Sequence, residues 1–320
     1  MKKILVTGAC GYLGANICEY LAKAGYSVTA FTSFDSAFNK NWNTLIDDII
    51  IGDIQDEIAI TNLAKIQFDT VIHLVSLDHF KSENNPNIVS AINVMPIWNL
   101  LYKLTKKGLK RFIYFSTVHV YGDLPSKNLK EDFKPDPQST YGLTHLLSEE
   151  ICNYYNKNTQ TKCINLRLSN GYGSPIFREN NCWQLVINDL CMQAFNNNKI
   201  RLLSDGSPLR DFIHISDICR AIEILIEAKS SMNKNIYHLA SGDTLTILEL
   251  AHIVREVFKD RYLKEINISV PNNSILVESG IKSRFSIDIS RMNKFGFQPI
   301  MPLKDGINQL FDYLEVHGDR

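Results

Sequence analysis

The 320 residues carry 34 basic and 34 acidic side chains that cancel, and 45% of them are apolar; such a chain buries a substantial core and shows no field of one sign, which argues against nucleic acid as a partner. The seven cysteines, at 10, 18, 152, 163, 182, 191 and 219, are odd in number and never spaced C-x-x-C, which argues against a disulfide framework or a zinc knuckle and for a metal-free protein of the reducing cytoplasm. The apolar run from Ile4 ends at Gly8, too short for a signal-peptide core or a membrane span.

Through the first half, short apolar runs alternate with amphipathic stretches of helix length, the pattern of a parallel sheet covered on both faces and hence of a doubly wound α/β architecture. The first strand is expected at Lys3–Thr7. It leads through Gly8-Ala9-Cys10-Gly11-Tyr12-Leu13-Gly14 into a helix from Ala15 to Ala24 that stops at Gly25. Glycines so placed allow a tight turn, close approach of backbone to a pyrophosphate and close helix packing, at a helix N-terminus that favours anions. Strand, turn and helix agree, so Gly8, Gly11, Tyr12, Leu13 and Gly14 are read as a Rossmann-type site for a nicotinamide dinucleotide.

The second strand, Ser27–Phe31, runs into Thr32-Ser33-Phe34, where a carboxylate would accept the ribose 2′-OH of NAD. None stands there. The hydroxyls of Thr32 and Ser33, with Lys40 in reach from the loop, suit a 2′-phosphate, so NADP(H) is slightly favoured over NAD(H); Asp35 is the alternative ribose ligand in a shifted loop. Further strands are expected at Ile49–Ile51, Thr70–Leu74, Arg111–Phe115 and Lys162–Leu168, giving six. Between Gly122 and Ser139 three prolines and no period mark a long loop at the carboxyl end of a strand, where such sheets meet ligands.

Past Leu168 the pattern changes to a helix near Trp183–Asn196, strands at Ile200–Leu203 and Asp211–His214, and helices at Ser216–Ala228 and Thr246–Phe258. The expected organisation is a dinucleotide-binding domain of residues 1–169, to which 211–241 return, and a smaller C-terminal substrate-binding lobe of 170–210 and 242–320.

After the fifth strand the chain reads Ser116-Thr117-Val118-His119-Val120-Tyr121-Gly122 and, beyond the loop, Tyr141-Gly142-Leu143-Thr144-His145. With the glycine turn, these motifs resemble the extended short-chain dehydrogenase/reductases of the nucleotide-sugar epimerase and dehydratase family, whose pattern is a glycine turn, a Ser/Thr at a strand end and Tyr-x-x-x-Lys. The resemblance covers nearly the whole chain. It implies cofactor contacts at Asp53 and Ile54, at Leu74 and Val75 on the fourth strand end, and at Asn93, a helix-kinking asparagine. It implies Thr117, Tyr141 and His145 as the catalytic set, with Tyr141 and His145 also touching cofactor and Thr117 touching substrate.

Hydride transfer at a sugar carbinol suits that set, because Tyr141 exchanges a proton with the hydroxyl while Thr117 holds the same oxygen. His145 stands where the family has lysine. It shares a helix face with Tyr141 but is mostly neutral at pH 7, so the resemblance leaves open a weakly active or inactive nucleotide-binding protein. The family's 4,6-dehydratases carry Asp-Glu after the threonine; Val118-His119 here makes dehydration less expected, with His119 either a substitute acid or a structural residue. C4 epimerisation and 4-keto reduction of a nucleotide-diphosphate sugar, in surface-polysaccharide sugar biosynthesis, both remain.

The resemblance implies that Arg210 holds the substrate pyrophosphate and makes Asn170 the matching candidate for a contact to sugar or phosphate. Arg284 is read either as a second phosphate clamp or as a surface partner of Asp288, and Asp78 and His79 lie where they can touch the sugar. The resemblance also implies a homodimer through helices at Pro86–Lys107 and Thr140–Asn156, with Ile88, Ile92, Leu100, Leu147 and Ile151 as its apolar side.

Overall fold

The computed structural model describes residues 1–33, 40–83, 85–123, 127–228, 234–271 and 284–318. Its main sheet is parallel and seven-stranded: β1 (Lys3–Thr7), β2 (Ser27–Thr32), β3 (Asp48–Ile51), β4 (Thr70–His73), β5 (Arg111–Thr117), β6 (Lys162–Leu168) and β7 (Ile236–Leu239) in the order β7-β6-β5-β4-β1-β2-β3. The order reverses between β4 and β1, which opens a crevice at their carboxyl ends where such sheets hold ligands. The sequence reading missed β7, which pairs with β6 from Ile236↔Asn165 to Leu239↔Leu168.

One face of the sheet is covered by α1 (Tyr12–Lys23), which buries Ala15, Ile17, Cys18 and Leu21 in a core shared with Ile218, Ala221, Ile222 and Leu225 of a helix at Ile215–Glu227. The other is covered by α2 (Pro86–Asn93), α3 (Met95–Leu104) and α4 (Thr140–Asn158), with Leu100, Leu101, Leu104 and Cys152 in a second core. The single helix expected over Pro86–Lys107 is therefore broken. Val94 is distorted within the right-handed region (φ −114°, ψ −55°), and Pro96, with no N–H to donate, sits in the first turn of α3. A third core joins the helices Val186–Asn197, Ile247–Tyr262 and Leu303–His317 around Ile187, Leu250, Val254, Phe258 and Phe311.

Two buried rungs join β5 to α4. Residues i and i+2 of a strand are spaced much as i and i+4 of a helix, so Tyr114 and Ser116 face His145 and Glu149 in register. Ser116 Oγ donates to Glu149 at 2.5 Å, and Arg167 of β6 completes the lower rung with Nε and Nη2 on the same carboxylate at 2.9 and 2.6 Å. Both ions are almost wholly buried. Removing either partner strands the other charge inside the protein, which makes this pair costly to break even where it adds little net stability.

Candidate active site

The glycine turn is pinned to the second strand: Gly8 and Ala9 N–H groups both donate to Phe31 O, at 3.0 and 3.2 Å. Gly8 adopts φ +73°, and a Cβ on Gly14 would lie 2.1 Å from Gly8 O, so neither position tolerates a side chain. The helix starts at Tyr12, three residues before the sequence expectation, which brings Tyr12, Leu13 and Gly14 into the first turn. Their N–H groups have no intrahelical acceptor and are available to an anion. This bare cradle fits a dinucleotide pyrophosphate. Tyr12 also ties the turn to the C-terminal lobe, its hydroxyl donating to Gly173 O at 3.0 Å.

Around the cradle, Leu74 and Val75 are half-buried, with Val75 against Gly8. Thr32 is buried, which leaves exposed Ser33 as the accessible hydroxyl at the end of β2. Asp53 is exposed, and its carboxylate accepts the Gln55 N–H at 2.9 Å. Asp35 and the side chain of Lys40 lie outside the described residues. Two expected cofactor contacts have other work. Ile54 packs in the second core. Asn93 is buried, accepting from Leu77 N–H at 2.8 Å and donating to Thr144 Oγ1 at 3.1 Å, so it stitches the loop after β4 to α4 at the kink.

Thr117 ends β5 and Tyr141 opens α4, whose N-cap Ser139 accepts from Gly142 N–H at 3.1 Å. A Cβ on Gly142 would come within 2.6 Å of His119 O, so glycine lets α4 press onto the turn Val118–Tyr121. That approach brings the Tyr141 phenol close enough to the Thr117 side chain for the two to interact. Burial raises the phenol to about 12, outweighing the opposing effect of Thr117.

His145 departs from its expected role. It is buried, Nδ1 lies 2.6 Å from Tyr114 Oη, and Nε2 lies 3.2 Å from Ser76 Oγ. Because Ser76 Oγ donates to Leu77 O at 3.0 Å, the network assigns a proton to Nε2 and makes Nδ1 the acceptor from Tyr114. Burial, with His119 and His73 nearby, pushes the imidazole down to about 3. Both nitrogens thus have internal partners, and the ring is neutral. His145 supplies no cation for a phenolate and has no nitrogen to spare for a ribose; its edge packs on Tyr141 at 4.5 Å between centroids. Tyr114 and Ser76, which make this arrangement, were not singled out from sequence.

The remaining wall is made of His79 and His119, whose rings lie 6.1 and 5.9 Å from that of Tyr141. Both reach solvent, and His119 is held below its ordinary value chiefly by the partial burial of its ring, then by Arg210 and by His79. Arg210 is half-buried and donates to Leu209 O at 2.9 Å, facing the same wall. Asp78, exposed and 3.6 Å from Lys81 Nζ, pushes Tyr141 further up. Asn170 spends its amide on Asp211 O at 2.8 Å. Arg284 pairs with Glu249, the carboxylate that also caps the helix at Ile247, and not with Asp288.

Among the described residues no group of His, Cys, Asp and Glu is arranged to hold a metal, and no helix is long and apolar enough to cross a membrane.

The model of the NAD dependent epimerase/dehydratase family matches residues 4–240. An uncharacterized UDP-glucose epimerase, YtcB of Bacillus subtilis, is 24% identical over 98% of both chains, and a UDP-glucose 4-epimerase of Corynebacterium glutamicum is 26% identical over 80% of each. The crystal structure of a UDP-glucuronic acid 4-epimerase from Bacillus cereus, with UDP-glucuronic acid and NAD, superposes with a TM-score of 0.80 at 24% identity, covering 98% of this chain and 99% of that one.

Proposed function

The chain belongs to the NAD dependent epimerase/dehydratase family, and on that premise we propose that it transfers hydride at C4 of a nucleotide-diphosphate sugar, as a 4-epimerase or 4-keto reductase. The observation that carries this is that the fold brings Tyr141, at the start of α4, beside Thr117 at the carboxyl end of β5, where the sheet opens beside a cradle fitted to a dinucleotide. The bound nicotinamide supplies or accepts the hydride. Tyr141 moves the proton at O4, Thr117 holds that oxygen, and Arg210 binds the substrate's diphosphate. Val118 has no proton to give, which makes 4,6-dehydration the less favoured reaction. A neutral phenol beside a neutral imidazole favours the limb in which Tyr141 donates, the reduction of a ketone.

Ser33 and the lack of a carboxylate at the end of β2 favour NADP(H) over NAD(H), although the Bacillus cereus relative holds NAD. Both readings are tested by incubating the protein with UDP-, GDP-, CDP- and dTDP-hexoses and their 4-keto forms, with each reduced and oxidised cofactor. The expected result is consumption of reduced cofactor with a 4-keto sugar, and NADPH binding at least as tight as NADH. Cofactor fluorescence that responds to nucleotide sugars with neither a reduced or keto product by mass nor a C4 epimer by chromatography would make the protein a binding module. An NADH preference of tenfold or more would reverse the cofactor reading.

The homodimer rests on an uncovered apolar face. Trp98 and Tyr102 of α3, and Leu143, Leu147 and Tyr154 of α4, recur at helical spacing and are each about half exposed. Ile88 belongs to the same uncovered set, whereas Leu100 is fully buried in the second core and cannot contribute. Pairing these two helices with their symmetry mates makes a four-helix interface. Leu147→Glu is expected to shift a dimer to monomer in light scattering at micromolar concentration; a wild-type monomer would remove this assembly.

A further inference from the structure

A cavity of about 540 Å³ opens beside the edge strand β7, where residues 130–132, the start of β7 and the short helix Ser290–Asn293 meet. It lies outside the groups assigned above to cofactor and sugar. Four cations, Lys130, Lys234, Arg291 and Lys294, face it against three carboxylates. The carboxylates are already engaged. Glu131 receives Arg291 Nε at 3.2 Å, Asp132 receives Arg291 Nη2 at 2.5 Å, and Asp288 accepts the Ser290 N–H at 2.7 Å. Lys234 reaches Asp132 only at 4.0 Å, Lys130 acts on Asp288 through space, and Lys294 has no carboxylate partner among the described residues.

The wall is preorganised. Glu131 is 5% exposed, its carboxylate also accepts His238 N–H at 3.3 Å, and its carbonyl accepts from Arg167 Nη1 at 3.4 Å. Arg291 is therefore fixed against a buried anion, and Lys130, Lys234 and Lys294 line the same cavity, with Lys234 held only at 4.0 Å by Asp132. Such a concave site pays little to order itself around a compact multivalent anion.

We propose that this cavity is a second ligand site, separate from the dinucleotide cleft, that takes a small phosphate-class anion. Lys130, Lys234 and Lys294 supply the charge, and Arg291 with Glu131 supplies the rigid back.

The test is isothermal titration of the full chain, with reduced dinucleotide present to occupy the glycine cradle. Inorganic phosphate, a hexose 1-phosphate and uridine 5′-monophosphate are the probes, which separates free phosphate from sugar and nucleotide sources. At least one should bind, with Kd raised about tenfold or more in Lys294→Glu and in Lys130→Glu, a change worth about 1.4 kcal/mol. Lys264→Glu, on another surface, should leave it unchanged. Unaltered thermal melts would confirm that the variants fold. Absence of binding by all three probes at millimolar concentration, or binding that ignores Lys130 and Lys294, overturns the site.

Discussion

Oxidation of a C4 carbinol by this protein should accelerate about tenfold per pH unit between roughly pH 6 and 9, while reduction of the corresponding ketone stays flat over the same range. The reason is the phenol of Tyr141, raised to about 12 by burial. Oxidation requires the phenolate, whose fraction at pH 7 is about one in 10⁵ and grows tenfold with each unit until the pKa is reached. Reduction requires the phenol, which is the dominant form throughout. A positive charge brought beside Tyr141 by an oxidised nicotinamide moves the plateau to lower pH but leaves the unit slope below it. Initial rates in both directions, measured with saturating substrates, decide the matter. An oxidation rate that stays flat over this range would instead take the proton transfer away from Tyr141.

The same reasoning gives a variant its sign. A lysine ammonium within about 4–6 Å lowers a neighbouring acid by about 1–3 units, so His145→Lys should make oxidation level off about 1–3 pH units lower than in the parent. Lysine at 145 loses the bond from Tyr114, and the melting temperature must be recorded alongside. A folded variant whose oxidation profile levels off at the same pH as the parent's would show that residue 145 sets geometry alone.

Strands β1 to β6 were legible because strands buried on both faces read as continuous apolar runs. The seventh was not. Ile236-Tyr237-His238-Leu239 is four residues long with a histidine inside it, and only the bonds from His238 to Tyr121 and Asp288 make that histidine a core residue. Thr117 and Tyr141 were picked out by their resemblance to the family's motifs, and the fold brings the two side by side. Tyr114, Ser76 and the Arg167–Glu149 pair were not, since they exist only where a strand's two-residue period meets a helix's four-residue one across distant segments. Charged residues are taken as solvated by default. For the same reason sequence offered Asp288, four residues along, as the partner of Arg284, whereas the fold supplies Glu249 from 35 residues away.

Below neutral pH the fold should fail steeply, losing about 8 kcal/mol between pH 7.5 and 5. Four histidines are buried and neutral: His73 and His145 are pushed down to about 3, and His214 and His238 to about 4, in each case chiefly by burial. In the unfolded chain each takes up a proton near pH ~6.5, and in the native state almost none does. A group with a depressed native pKa contributes stability that is present above the unfolded value and lost as pH falls. Once all four titrate, the slope approaches about 1.4 kcal/mol per pH unit for each. Domains commonly hold only about 5–15 kcal/mol, so half-unfolding is expected between about pH 4.5 and 5.5 at moderate temperature. His214→Asn checks the origin, because His214 Nδ1 caps a helix by accepting Ser216 N–H at 3.2 Å, a role asparagine also fills without titrating. Urea melts from pH 7.5 to 5 should show the variant's pH slope reduced by about a quarter. An equal slope in variant and parent would move the acid sensitivity from the histidines to the carboxylates.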